Sequence, residues 1–257
     1  MSLSDQEKLR YSRHLNLPDF GISGQEKLKC AKVLVVGTGG LGAPLLQYLT
    51  AIGVGTIGVI DFDIVEESNL QRQVLFGMED LGKSKTTVAI TKLRAQNPFV
   101  HFIDHNLKLD ASNALEIISN YDVIADGTDN FPTRYLVNDA CVLMGKPNVY
   151  ASIYRFEGQV SVFGLENGPC YACLFPNASD ADVCSCTEGG VLGVMPGVIG
   201  CLQAAEALKL ALGAGDVLDG KLLICRLLGM QFETYRVRRN PDCPVCSNRG
   251  TSPRREG

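Results

Sequence analysis

Histidine is scarce in this 257-residue chain, with three residues, at positions 14, 101 and 105, all in the first half. A proton relay built on imidazole in the second half therefore has nothing to run on. Excess charge is also lacking: a formal net charge of -4 gives no general pull towards nucleic acid or an anionic membrane surface. Long apolar runs are missing too. The longest, Val191 to Ala205, is interrupted by Pro196 and Gln203 and followed by Glu206 and Lys209, so it reads as a loop leading into a buried helix and not as a membrane span. Met1 to Arg13 is polar and charged, without the apolar core of a secretory signal, and a cytoplasmic location is the expectation. There is no internal repeat, and only the tail from Ser247 to Gly257 has the composition of a disordered segment.

What is present suits a large folded domain. The chain is 46% hydrophobic, enough to bury a full core as one α/β domain or as a domain with a substantial extension. Ten cysteines without a secretory signal point to metal and thiol chemistry and away from a disulfide scaffold.

The chain is organised around Lys32 to Gly42, a short apolar strand running into the turn Gly37-Thr-Gly-Gly-Leu-Gly42. Gly37, Gly39 and Gly42 stand at the spacing of a nucleotide-binding fingerprint: tight turn, close backbone approach to phosphate, and close helix packing. Phosphate would sit at the following helix N-terminus. The next strand, Thr56 to Asp61, ends in the acid that such folds place on a ribose hydroxyl. The turn alone fits a dinucleotide as well as ATP.

The segment Glu7 to Leu28 reads as helical with a turn around Pro18 to Gly24, and its Arg10, Tyr11, Arg13 and His14 form a small cationic cluster that a solvated helix face would also explain. After Asp61 and Asp63 comes Asn69-Leu-Gln-Arg-Gln73, then Lys85 at the start of a helix from about Thr86 to Ala95. Such a polar connection can gather phosphate charge, or be a surface loop. The stretch Asn97 to Asn106 is expected to make another strand, Ala111 to Ser119 a helix, and Tyr121 to Asp126 a buried strand. That strand empties into Gly127-Thr-Asp-Asn-Phe131, where ligands bind in an open parallel sheet. Asp129 is thus a candidate magnesium ligand, while Asp129 and Asn130 are equally suited to cap the helix from about Pro132 to Met144.

From Pro147 the pattern turns antiparallel: Pro147 to Ser152, Glu157 to Gly164, and a pair, Gly220 to Leu228 with Gln231 to Arg238, around a glycine-containing turn. Cys170-Tyr-Ala-Cys173 and Cys243-Pro-Val-Cys246 are two knuckles that can supply four thiolates to a closed structural zinc site. Cys184 and Cys186 lie between them in a small, polar loop suited to an exposed thiol. The cysteines at 30, 141, 201 and 225 are expected in the core. The fold class is α/β: a Rossmann-like, mostly parallel sheet continuing into an antiparallel half, with a structural zinc site.

From about Leu9 to Cys246 the chain resembles the MoeB/ThiF family, bacterial relatives of the ubiquitin-activating enzymes. The resemblance rests on Arg10-Tyr-Ser-Arg13, the glycine turn, Asp61-Phe-Asp63, Asn69-Leu-Gln-Arg-Gln73 and Lys85, followed by Thr128-Asp-Asn130, Glu157-Gly-Gln159 and both knuckles, in that order. It divides the chain into an N-terminal helical segment (1–30), an adenylation domain (31–246) with a nucleotide half (31–146) and a carrier-binding and zinc half (147–246), and a tail (247–257).

The resemblance implies adenylation of the C-terminal Gly-Gly carboxylate of a small ubiquitin-like sulfur-carrier protein by ATP. Asp61 would hold the ribose, Asn69, Arg72 and Lys85 the phosphates, and Asp129 a magnesium ion. Gly37, Gly39, Gly40, Gly42, Asp63, Gln73, Thr128 and Asn130 complete the implied nucleotide site. Arg13 would reach a neighbouring subunit's site, making the enzyme a homodimer. Cys186 would be the family's loop thiol, which joins the carrier covalently in some members, though the neighbouring Cys184 blurs which thiol reacts. Sulfur would come from a separate donor protein. The molybdopterin branch is favoured over the thiamine thiazole and tRNA-thiolation branches by the Arg-Tyr-Ser-Arg-His and Asn-Leu-Gln-Arg-Gln runs. A NAD-dependent oxidoreductase would share only the glycine turn and Asp61, and a non-catalytic binding module would lack the phosphate set.

Overall fold

Val33 to Val36 are four consecutive buried apolar residues, the pattern of a parallel strand covered on both faces. In the computed structural model, which describes residues 1–178 and 190–247, they form β1 (Lys32–Val36). The other strands are β2 (Thr56–Ile60), β3 (His101–His105), β4 (Val123–Asp126), β5 (Asn148–Tyr154), β6 (Glu157–Phe163), β7 (Lys221–Arg226) and β8 (Gln231–Arg236). They make one eight-stranded sheet in the order β3-β2-β1-β4-β5-β6-β7-β8. Pairing is parallel from β3 across to β5 and antiparallel from β5 to β8, the mixed architecture expected.

Successive β1 side chains point to opposite layers. Val33 and Val35 pack with Leu45, Leu46 and Leu49 of α4 (Gly42–Ala51) and with Val88 and Ala89 of α5 (Lys85–Gln96). Leu34 and Val36 pack instead with Ile117 and Ile118 of α6 (Ala114–Ser119) and with Val137 and Ala140 of α7 (Phe131–Met144). The result is helix, sheet, helix in three layers. The Val191 to Ala205 run becomes a short approach and a helix, Met195–Leu212, the described helix that is long and apolar enough to cross a membrane. Here its Gln203 is fully buried and donates to the carbonyls of Asp126 and Val149, both at 2.8 Å. The β7 to β8 turn, Leu227–Gly229, closes with Met230, not a glycine, in the left-handed region at φ +47°.

Three readings change. The expected N-terminal helix is broken into Asp5–Arg10, Ser12–Leu15 and Gly21–Cys30, because Tyr11 turns inward and its hydroxyl accepts from Asn97 Nδ2 at 2.8 Å. Asn97 also donates to Thr50 O at 2.7 Å, and this second role at the end of α5 delays β3 until His101. Of the four cysteines expected in the core, Cys141 and Cys225 are buried but Cys30 and Cys201 are exposed; Cys30 ends its helix beside the terminal amine, 3.5 Å away. Among the N-terminal residues Tyr11 is buried, whereas Arg13 is exposed.

At the far end of β3, His105 Nε2 and Tyr121 Oη lie 2.8 Å apart, and the Tyr121 ring fills the space above Gly58, where a Cβ would fall 2.2 Å from its oxygen. Burial holds His105 below the ordinary histidine range, partly offset by Asp104. The unfolded histidine takes up its proton near ~6.5, so the unfolded state binds more protons just below that pH and stability falls as pH drops there. Urea midpoints measured from pH 8 to pH 5 should fall on the acid side, less steeply in His105→Gln. Gly58→Ala should cost about 1–3 kcal/mol in the same assay, as overpacking of a fully buried ring.

Candidate active site

The sheet order reverses at β1, because β2 follows it on one side and β4 lies on the other. Loops leaving the carboxyl ends of β1 and β4 therefore part and leave a crevice, the usual ligand position in such sheets. A cleft of about 200 Å³ opens there. Its walls include Gly37, Gly39 and Gly40 after β1, Asp61 and Asp63 after β2, and Gly127 to Asn130 after β4, with Arg72, Gln73 and Lys85 from the connection to α5.

The turn after β1 needs its glycines. Gly37 sits at φ +91°, and a Cβ on Gly42 would fall 2.0 Å from the Gly37 carbonyl oxygen. Asp61 is held against this turn: Oδ2 accepts from Thr38 N at 2.8 Å and Thr38 Oγ1 at 2.7 Å, and Oδ1 accepts from Asp63 N at 3.0 Å. Lys85 is 5% exposed at the first position of α5. Its ammonium group donates to Asp63 Oδ2 at 2.9 Å, so the cation is held in the cleft wall by an exposed carboxylate. Arg72 donates to Ser68 O at 3.1 Å. Gln73 and Asn69 are buried, and Gln73 Oε1 and Asn69 Oδ1 have no hydrogen-bond partner among the described residues. Asn69 lies behind the cleft wall and not in it.

Asn130, not Asp129, caps α7: its Oδ1 accepts from Thr133 N at 3.0 Å. The Asp129 side chain is exposed on the cleft. None of the three histidines lines the cleft. Arg13 does not line it either, and Cys184 and Cys186 fall outside the described residues.

The two cysteine knuckles meet although 73 residues separate Cys170 from Cys243. The four sulfurs lie within 4.8 Å of one another, with Cys170 to Cys173 at 3.8 Å, Cys170 to Cys243 at 3.6 Å and Cys173 to Cys246 at 3.4 Å. Disulfide sulfurs would be about 2.05 Å apart, whereas a tetrahedral zinc site with bonds of about 2.3 Å has sulfurs about 3.8 Å apart. Burial, then the neighbouring thiols, push the Cys170 thiol well above its ordinary range. A cation among these sulfurs would reverse that preference, and Asn240 N already points at Cys173 Sγ from 3.4 Å. The donor set fits a metal ion.

Comparison with known proteins decides the family. The ThiF family pattern matches residues 11–245. The chain belongs to the ThiF family. It is 52% identical over 257 residues to the sulfur carrier protein adenylyltransferase of Thermus thermophilus, covering 98% of this chain and 95% of that protein. It is 50% identical over 248 residues to the adenylyltransferase and sulfurtransferase MOCS3 of Xenopus laevis, covering 96% of this chain but only 55% of that longer protein. Among solved structures, E. coli MccB with ATP superposes with a TM-score of 0.81 at 26% identity, covering 95% of this chain and 75% of that one.

In this ThiF family chain, sequence reasoning overlooked several cleft residues. Phe62, Leu107, Lys108, Leu109, Thr133, Ile153 and Val191 all line it. Leu107 to Leu109 follow the carboxyl end of β3, so the rule that pointed to Asp61 and Asp129 would have reached them. Lys108 Nζ lies 5.9 Å from the Phe62 ring centroid, a contact no spacing reveals. For the metal site, the purified chain should carry a tightly held metal ion by plasma mass spectrometry. Cys243→Ser should lose it and melt several degrees lower; full metal content in that variant would rule the site out.

Proposed function

We propose that the chain is an ATP-dependent adenylyltransferase acting on the C-terminal Gly-Gly carboxylate of a ubiquitin-like sulfur-carrier protein. The observation that carries this reading is the convergence of the Gly37 to Gly42 turn, Asp61, Arg72, Lys85 and Asp129 on one cleft that no histidine lines. A carboxylate is already ionised at neutral pH, so its attack needs no general base. The demand is electrostatic: an anion must approach a polyanion, and the site must offset that repulsion while aligning the reacting atoms.

In this reading the carrier carboxylate oxygen attacks the α-phosphorus of ATP. A carboxyl oxygen to phosphorus bond forms, the bond to the β-phosphate oxygen breaks, and pyrophosphate leaves. The glycine turn offers backbone N–H groups at the start of α4. Asp61 holds the ribose. Arg72 and Lys85 take the phosphates, with Lys85 moving from Asp63 to phosphate oxygen. Asn69 backs this wall, its Oδ1 and the Gln73 Oε1, both without partners among the described residues, being polar atoms that suit a bound nucleotide and its water. Asp129 would hold magnesium, which when bound spreads positive charge across the phosphates. Zinc is the ion we assign to the four sulfurs, with a stapling role, since four thiolates leave no open position.

Arg13 is assigned to the neighbouring subunit's cleft in a homodimer. The carrier is assigned to molybdopterin synthesis on the sequence runs named above, with the thiamine thiazole and tRNA-thiolation carriers as alternatives in the same chemistry. A separate donor protein would supply sulfur, with Cys186 as the family's loop thiol.

Carrier-dependent exchange of labelled pyrophosphate into ATP should be readily measured and should fall by about 10²-fold in Asp129→Ala. Absence of exchange with every Gly-Gly carrier, in a folded dimer, would contradict the proposal. Mixing inactive Arg13→Ala with inactive Asp129→Ala should restore part of the exchange, because a mixed dimer holds one cleft with both groups; no recovery after confirmed subunit exchange would place Arg13 outside the mechanism.

A further inference from the structure

A buried arginine stands directly behind the Gly127 to Asn130 turn without lining the cleft. Arg134, in the second turn of α7, is 7% exposed. Its Nη2 donates to the Thr128 carbonyl at 3.0 Å and to Ser152 Oγ at 3.1 Å. The guanidinium carbon lies 5.6 Å from the ring centroids of both Phe131 and Tyr150. Close by, Asp126 is 1% exposed, and its Oδ1 accepts from Thr128 N at 3.0 Å and Thr128 Oγ1 at 2.6 Å.

Every polar atom of Thr128 is thus taken, two by the acid and one by the arginine. On the other side, Asn130 is fixed by its cap to Thr133 N. Asp129 sits between two pinned residues with its own carboxylate exposed on the cleft. Such an arrangement fixes the backbone and leaves the side chain for a ligand, which is how a site is preorganised. Stability alone does not explain a buried charge here. Keeping one is often no better than packing an apolar side chain of similar volume, and the surrounding Phe131, Tyr150 and Tyr171 would accommodate a Met. Asp126 Oδ2 and Arg134 Nε lack hydrogen-bond partners among the described residues, so neither side chain is optimised as part of a structural network.

We infer that Arg134, opposite Asp126, is a positioning residue that holds the Thr128-Asp-Asn130 turn so that Asp129 meets magnesium-bound ATP without reorganising. The inference rests on the proposed nucleotide chemistry for its ligand, but not for the pinning of the turn.

Two readouts test it. In the ligand-free protein, Arg134→Met should speed amide hydrogen exchange at residues 127–131 by about tenfold or more while leaving β1 and the Cys170 to Cys173 knuckle unchanged. Calorimetric affinity for ATP with excess magnesium should fall by about tenfold, and Arg134→Lys, which keeps the cation, should recover part of it. Added to Asp129→Ala, Arg134→Met should have almost no further effect, because the arginine acts through the aspartate. Unchanged exchange at 127–131, or a full additional loss of affinity in the Asp129→Ala background, would overturn the inference. If Arg134→Met does not fold, Arg134→Lys carries the same exchange and coupling measurements. A wild-type chain that binds no magnesium-ATP would contradict the proposed function itself, while the exchange result would still decide whether Arg134 pins the turn.

Discussion

Two backbone hydrogen bonds carry the central ladder one residue beyond its strands: Gly37 N to Ile60 O at 2.8 Å, and Gly127 N to Val36 O at 2.9 Å. They tie the ends of β2, β1 and β4 together at the point where the chain must leave the sheet in different directions. Everything placed in the cleft depends on this junction. At φ +91° Gly37 holds a backbone that a Cβ would strain, and a Cβ there would also stand 3.1 Å from the Gly127 carbonyl oxygen. Asp61, one residue past β2, can then fold back onto Thr38, and the turn after β4 comes within reach of the same volume. A side chain at Gly37 would press on the Gly127 carbonyl, where the two walls meet.

The charges on those walls follow a consistent logic. Lys85 is nearly buried, and a buried ammonium group without a partner is strongly disfavoured; Asp63 provides that partner from the solvent side. An exposed carboxylate can yield to a phosphate oxygen at modest cost, which a buried one could not. Asp126 and Arg134 show the opposite arrangement: both are buried, both grip Thr128, and neither lines the cleft. Lys85 and Asp63 are built to exchange partners, whereas Asp126 and Arg134 hold one turn from two sides. The metal site lies elsewhere, where four sulfurs join the short helix Tyr171–Leu174 to the Cys243 to Cys246 knuckle and pack beside Val142 of α7, the helix that Asn130 caps and that carries Arg134.

Much of this was legible in the sequence. The unbroken apolar run before Gly37 and the acids at Asp61 and Asp129 each mark a strand end, and strand ends in a parallel sheet face one side. The two cysteine knuckles are legible because the chemistry of four thiolates demands that they meet, whatever lies between them. What stayed hidden was tertiary. Tyr11 looked like part of a cationic helix face, but its partner, Asn97, is 86 residues away. Arg134 has no motif around it to single it out, and only the approach of β5 with Ser152 and Tyr150 shows that it is enclosed. Cys30 and Cys201 have apolar neighbours in sequence and solvent in space, because sequence neighbours on a helix point to different faces.

The central claim is that the cleft joins a carboxylate oxygen to the α-phosphorus of ATP. It is tested most directly with a sulfur-carrier protein whose terminal carboxylate is labelled with oxygen-18. The activated carrier is intercepted with hydroxylamine and the released AMP is analysed by mass spectrometry. Attack at the α-phosphorus predicts one labelled oxygen in AMP, since the bond then cleaved is the one between the acyl carbon and that oxygen. Label in inorganic phosphate, or AMP free of label while ATP is consumed, would contradict the account.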